Sequence, residues 1–232
     1  MKILICILLT AITLSTLRVC ASPGRKQLHV AVIDSGLDTS VDGIPLCAGG
    51  LHDFTQDSSK NTDHWRHGTN VASLIAREAG TTGYCLEIFK VFDDENFIND
   101  AYERSLKYIV QHEDILLVNL SIAGTKPYEY ENRLIKTLLN NNVVIVASAG
   151  NDSISLTQNY CDVRPACIDK RIIVVGNKGS NSTNYGPIVD VYEDGNEQFG
   201  GGVTMSGTSQ ATAIVTGKII NKYLKIIERN SK

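Results

Sequence analysis

The chain has 232 residues, of which 43% are hydrophobic and 20% charged, with a formal net charge of -3 at pH 7. This is ordinary globular composition in a chain long enough for one domain with its own core. The slight acidic excess and the lack of a basic stripe argue against nucleic acid or an anionic membrane surface as a partner.

The amino-terminal segment reads as an export signal. Lys2 gives a positive start, Ile3 to Leu17 is mostly apolar, and Val19-Cys20-Ala21 suits cleavage after Ala21. A membrane anchor is the first alternative, but the run is short and Arg18 interrupts it. A lipid-modified Cys20 is the second, and Arg18 and Val19 fit that signal poorly. The expected organisation is a signal over residues 1–21 and a single domain over 22–232. The mature protein would be secreted or periplasmic, off the membrane and monomeric. Cys47, Cys85, Cys161 and Cys167 stay with it, and an even count in an exported chain suggests disulfides. Cys161 and Cys167 share one loop and are paired on that ground, leaving Cys47 for Cys85. Four buried free thiols remain the alternative if the chain is not exported.

Strand-like runs then alternate with helical periodicity. Leu28 to Ile33 reads as a buried strand. Val71, Leu74 and Ile75 mark one face of a helix opening near His67, and Leu86 to Phe92 is strand-like. Asp100 and Glu103 have capping-box spacing ahead of Leu106, Ile109 and Val110. Ile115 to Ile122 is a strand, and Leu134, Ile135, Leu138 and Leu139 lie on a helix. Val143 to Ala147 and Ile172 to Val175 are strands. From Thr208 to Arg229, Ala211, Val215, Ile219 and Tyr223 recur every fourth residue in a long, well-buried helix. Alternating strands and helices imply an α/β fold, a mostly parallel sheet covered on both faces. Functional groups in such folds collect at the carboxyl ends of the strands.

Four motifs sit at element boundaries: Asp34-Ser35-Gly36, His67-Gly68-Thr69, Ala149-Gly150-Asn151 and Gly207-Thr208-Ser209. Singly they read as a turn aspartate, a surface histidine, a turn amide and a helix-capping serine. Together they supply a nucleophile, a base in reach of it, a carboxylate to orient the base and a donor for a developing oxyanion. In this order the residues resemble those of the subtilisin-like serine proteases, from about Leu28 to about Tyr223. The resemblance implies that family's three-layer fold and an endopeptidase acting on peptides or proteins through an acyl-enzyme. Ser209 would be the nucleophile, His67 the base, Asp34 its orienting partner and Asn151 the oxyanion donor. Ser121, Ile122, Ala123 and Gly124 would line the substrate, which adds as an extended strand. Ser148, Ala149 and Gly150 would wall the pocket for the side chain before the cut.

The chain departs from the family pattern at Asn70, where a second histidine is usual, and at Gln210 and Ala213, where methionine and proline are usual. No amino-terminal pro-domain is apparent. The short Glu78 to Tyr84 connection implies no tight calcium site, and no cofactor or metal is expected. His64 and His67 lack a third ligand, and His29, His52 and His112 look isolated. Of three glycosylation patterns only that at Asn181 is credible, since Asn119 should be buried and Asn151 is a site residue. Two rival readings are an esterase, which commonly uses a Gly-x-Ser-x-Gly elbow that Ala211 breaks, and a catalytically silent binding module.

Overall fold

The computed structural model describes residues 5–9, 17–21, 27–55, 62–80 and 82–230. The expected export signal lies partly outside the described residues. Within it, β1 (Ile5–Leu9) and β2 (Leu17–Ala21) pair antiparallel. The remaining elements are β3 (Leu28–Asp34), β4 (Leu46–Asp53), α1 (His67–Ala79), β5 (Tyr84–Lys90), β6 (Phe92–Asp93), β7 (Asn96–Phe97), α2 (Asn99–Gln111), β8 (Ile115–Leu120), α3 (Glu129–Asn140), β9 (Val144–Ser148), β10 (Ile173–Asn177), β11 (Val191–Glu193), β12 (Gln198–Gly200), β13 (Val203–Met205) and α4 (Thr208–Asn230).

Seven strands form one sheet in the order β11-β10-β9-β8-β3-β5-β4. Every pairing within it is parallel. Successive side chains on each strand face opposite sides, so both faces need cover. Val30 and Val32 of β3 pack with Leu74 and Ile75 of α1 and Val215 of α4. Ala31 and Ile33 pack with Leu106 of α2 and Ile135 of α3 on the other face. This is the expected three-layer α/β architecture. Helices α1 and α4 cross closely at Gly217, where a Cβ would lie 2.5 Å from that of Glu78. A larger residue there would push the two helices apart.

Several expectations about local structure change, among them the strand read over Leu86 to Phe92, which runs instead over Tyr84–Lys90. Strand β4 was not anticipated. Gly49 and Gly50 interrupt its apolar pattern, and the β4–β5 register shifts between Leu46 and Leu51. The capping box does not form, because Ile98 stands at the N-cap of α2 without a side-chain cap. Asp100 lies inside the first turn and instead pairs with Arg104 at 2.8 Å, while Glu103 pairs with Lys107 at 2.9 Å. Strand β8 ends at Leu120, two residues early, and the chain leaves the sheet at Ser121.

Cys47 is bonded to Cys85, tying edge strand β4 to β5, and Cys161 is bonded to Cys167. No helix among the described residues is long and apolar enough to cross a membrane.

Candidate active site

Asp34 ends β3 at the carboxyl edge of the sheet and is fully buried. Its Oδ1 accepts the Ser35 N–H at 2.8 Å and faces His67 Nδ1 at 2.6 Å. Its Oδ2 is buried without a hydrogen-bond partner. His67 opens α1, and Trp65 stacks on its ring at 4.6 Å. Gly68 allows this approach of α1 to β3, since a Cβ there would lie 2.4 Å from the Gly36 carbonyl oxygen. The close neighbour of Gly68 is thus the protein's own turn.

Burial disfavours a charged His67. The charge and hydrogen bond of Asp34, with the charge of Asp63, outweigh it and raise the histidine above its ordinary value. Asp63 was missed in the sequence. Its Oδ1 accepts from Ser35 Oγ at 2.8 Å and the Arg66 N–H at 2.9 Å. Its Oδ2 accepts from the Thr69 N–H at 2.7 Å and the Thr69 hydroxyl at 2.6 Å. Asp63 therefore caps the first turn of α1 and locks it to the Asp34 turn. An acid just ahead of a helix start was the available signal.

Ser209 lies in the first turn of α4. Its hydroxyl donates to the Ser121 carbonyl at 2.9 Å, and Ser121 Oγ donates back to the Ser209 carbonyl at 2.9 Å. The Ser209 hydroxyl is thus turned to Ser121 and not to His67. Asn151 Oδ1 accepts the Thr208 N–H at 3.0 Å, which fixes its carboxamide beside the start of α4. The loop carrying Asn151 is held by fully buried Asn184, also missed. Asn184 Nδ2 donates to the Ala149 carbonyl at 2.9 Å, and its Oδ1 accepts the Asp152 N–H at 2.9 Å.

His67, Ser209 and Asn151 line one cleft of about 500 Å³. Of the expected substrate-lining residues, Ser121, Ile122, Ala123, Gly124 and Ser148 line it too. Ala149 and Gly150 are not among its lining residues, and Ala149 packs into the core below. Gly124 pairs with Arg164 on one side, the Arg164 N–H reaching the Gly124 carbonyl at 2.7 Å. A chain of rings then leads along the cleft from His67. Trp65 meets Phe92 at 5.3 Å, Phe92 meets Phe97 at 5.4 Å, and Phe97 meets Tyr102 at 5.4 Å. These aromatic wall residues were not singled out from the sequence.

The two unusual polar residues explain each other. Asn70 Oδ1 accepts from Gln210 Nε2 at 3.1 Å, and Asn70 Nδ2 bonds the Gly200 carbonyl at 3.1 Å. Both side chains are buried, so changing either alone would strand polar atoms. His29 and His52 are not isolated, because both contact Glu87, at 2.7 and 3.1 Å. His112 stacks on Tyr108 at 3.7 Å, and His64 is exposed. Asn119 is buried and Asn181 exposed.

A family model described as "Subtilase family" matches residues 25–221. Subtilisin-like protease 2 of Arthroderma otae is 29% identical over 213 residues, covering 85% of this chain and 49% of the relative. The major intracellular serine protease of Bacillus subtilis is 26% identical over 220 residues, covering 84% of this chain and 67% of the relative. The chain thus spans about half the length of the first of these and two thirds of the second. A lanthipeptide protease of known structure superposes with a TM-score of 0.75 at 18% identity, over 88% of this chain and 75% of that one. At that identity the likeness concerns the fold.

Proposed function

Because the chain belongs to the subtilase family, we propose that it is a serine endopeptidase, exported after loss of residues 1–21, whose single domain cleaves peptide bonds through an acyl-enzyme on Ser209. The observation that carries this reading is the 2.6 Å pair of buried Asp34 with His67, which lines the same cleft as Ser209.

An extended peptide lies along Ser121 to Gly124, adding its backbone as a strand. Substrate binding frees the Ser209 hydroxyl from the Ser121 carbonyl, and rotation about its Cα–Cβ bond brings it to His67. Apo geometry of this kind often tightens only in the complex. His67 takes the hydroxyl proton as Ser209 attacks the carbonyl carbon. Asp34 holds the imidazole tautomer and stabilises its cation. The oxyanion meets the backbone N–H of Ser209 and the NH₂ of Asn151. Thr208 already occupies the Asn151 carboxamide oxygen, which leaves its donor for this role. His67 returns the proton to the leaving amine, and water then hydrolyses the ester by the same steps. The protein acts as a monomer on peptide or protein substrates and needs no cofactor or metal.

The Ser209–Ser121 bond is the one observation that favours a silent binding module, since a serine locked there would never reach its base. A fluorophosphonate probe decides between them. We expect stoichiometric labelling at Ser209 and loss of peptidase activity on the order of 10⁶-fold in Ser209→Ala, with the melting temperature nearly unchanged. A folded protein that neither labels nor cuts peptides would overturn the endopeptidase reading.

A further inference from the structure

Glu131 is a buried carboxylate for which the catalytic scheme has no use. It stands in the first turn of α3, is 2% exposed, and lines the cleft with Phe97, Tyr102 and Tyr128. The Tyr102 hydroxyl donates to Oε1 at 3.0 Å, and Oε2 is buried with no hydrogen-bond partner. Carboxylates with a structural task in this protein behave differently. Asp63 and Glu87 engage both oxygens. Leaving a buried acceptor unpaired is costly, so Oε2 marks a contact not made within the chain.

The surroundings suit a cation. Burial pushes the Glu131 carboxyl up, opposed by the Tyr102 hydrogen bond and the charge of Arg164. The α3 amino terminus adds a field that favours an anion there. Neither of the two basic side chains on this part of the cleft wall hydrogen-bonds Glu131, although the charge of Arg164 reaches it. Arg164 donates to Asn132 Oδ1 at 2.8 Å, and Lys126 stands over the Tyr128 ring at 5.4 Å. The Lys126 contact shows that the ring faces here accept an ammonium.

We propose that Glu131, walled by Phe97, Tyr102 and Tyr128, binds the charged end of a lysine or arginine of the substrate and selects peptides carrying a basic residue at a fixed position away from the scissile bond. The ring chain from Trp65 through Phe97 separates Glu131 from His67, so the selected residue is not the one adjoining the cut. Oε2 is buried at rest, so the carboxylate must turn toward the cleft for the substrate cation to supply the partner it lacks. This specificity rests on the endopeptidase reading above for its use, but the pocket can be tested apart from the chemistry.

Peptide libraries that place lysine, arginine or norleucine at one position at a time provide the test. At one position the wild-type protein should prefer lysine or arginine over norleucine by roughly tenfold or more in kcat/KM, mainly through KM, the scale of one charge-assisted hydrogen bond. Glu131→Gln should cleave the lysine and norleucine peptides at similar rates. Equal rates for all three residues at every position in the wild-type protein would overturn the proposal, whether or not the variant folds. If the wild-type protein cleaves nothing, labelled peptides bound to Ser209→Ala carry the same comparison. Lysine-selective binding there would uphold the pocket while the endopeptidase reading fell, and equal binding would overturn the pocket.

Discussion

The protein builds two clusters of histidine on a buried carboxylate, and they differ in what is left open. In one, Asp34 ends β3 and holds a single nitrogen of His67, with Oδ2 unpaired and the imidazole on a cleft. In the other, Glu87 sits within β5 and both its oxygens are taken, by His29 and His52. There the His52 ring is packed against Phe89 and Tyr108, each at 4.5 Å. Both pair imidazole with a buried carboxylate, so the pairing itself does not mark a reactive centre. The strand terminus does: where a parallel strand ends, backbone stops covering the side chain and a substrate can reach it. The Glu87 cluster is complete without any partner and reads as a clasp joining β3, β4 and β5.

Variants sharpen this contrast. After loss of Ser209 itself, the largest effect should come from Asp34→Asn. A drop of about 10⁴-fold in kcat is expected, because the amide can favour the wrong imidazole tautomer. Neutral His67 is the acting base, so wild-type kcat/KM should rise with pH through an apparent value above the ordinary 6.5 of histidine. In Asp34→Asn that limb should move to lower pH, since burial depresses the histidine and only the weaker charge of Asp63 is left to oppose it. A pH profile of both proteins checks this, and an unmoved limb would mean that Asp34 does not set the titration of His67.

Asn151→Ala should cost roughly 10²–10³-fold in kcat, a scale set by such a donor in a subtilisin, with little change in KM. It also removes the acceptor for the Thr208 N–H, so about 1 kcal/mol of stability should go with it. Kinetics normalised to titrated active sites separate the two. Turnover within a few-fold of wild type would leave Asn151 only the capping role.

The smallest catalytic effect belongs to the closed cluster. Glu87→Gln should leave kcat unchanged and cost about 1–3 kcal/mol at neutral pH, as two buried hydrogen bonds to a charged group weaken. Burial pushes the Glu87 carboxyl up, and the hydrogen bonds and charges of His52 and His29 bring it below its ordinary 4.5. A carboxyl lowered on folding stabilises above its unfolded value and loses that contribution as pH falls through the folded one. Melting temperatures of wild type and variant should therefore converge below pH 4.5. A gap that persisted there would assign the loss to packing instead.

Local reading of the chain succeeded where one element carries its own signal. The fourfold spacing of Ala211, Val215, Ile219 and Tyr223 places α4, and the strand-turn position of Asp34 places the carboxylate. It failed at β4, where edge position and Gly49-Gly50 leave no alternation to read. It failed again at Asp100, since spacing alone cannot say whether a residue lies at the cap or one turn inside. His29, His52 and Glu87 are far apart along the chain and meet only because β3, β4 and β5 are neighbours.

What the sequence determines by itself is the order of chemistry-bearing residues, their boundary positions and the alternation that forces helices onto both faces of a parallel sheet. These follow from periodicity and turn chemistry within a few residues. Only the tertiary structure decides which polar groups are completed and which are left open. It pairs Asn70 with Gln210, closes Glu87 between two histidines, turns the Ser209 hydroxyl to Ser121 and leaves Glu131 Oε2 without a partner. The reason is that hydrogen-bond satisfaction is settled by contacts across tens of residues, and no local pattern carries them.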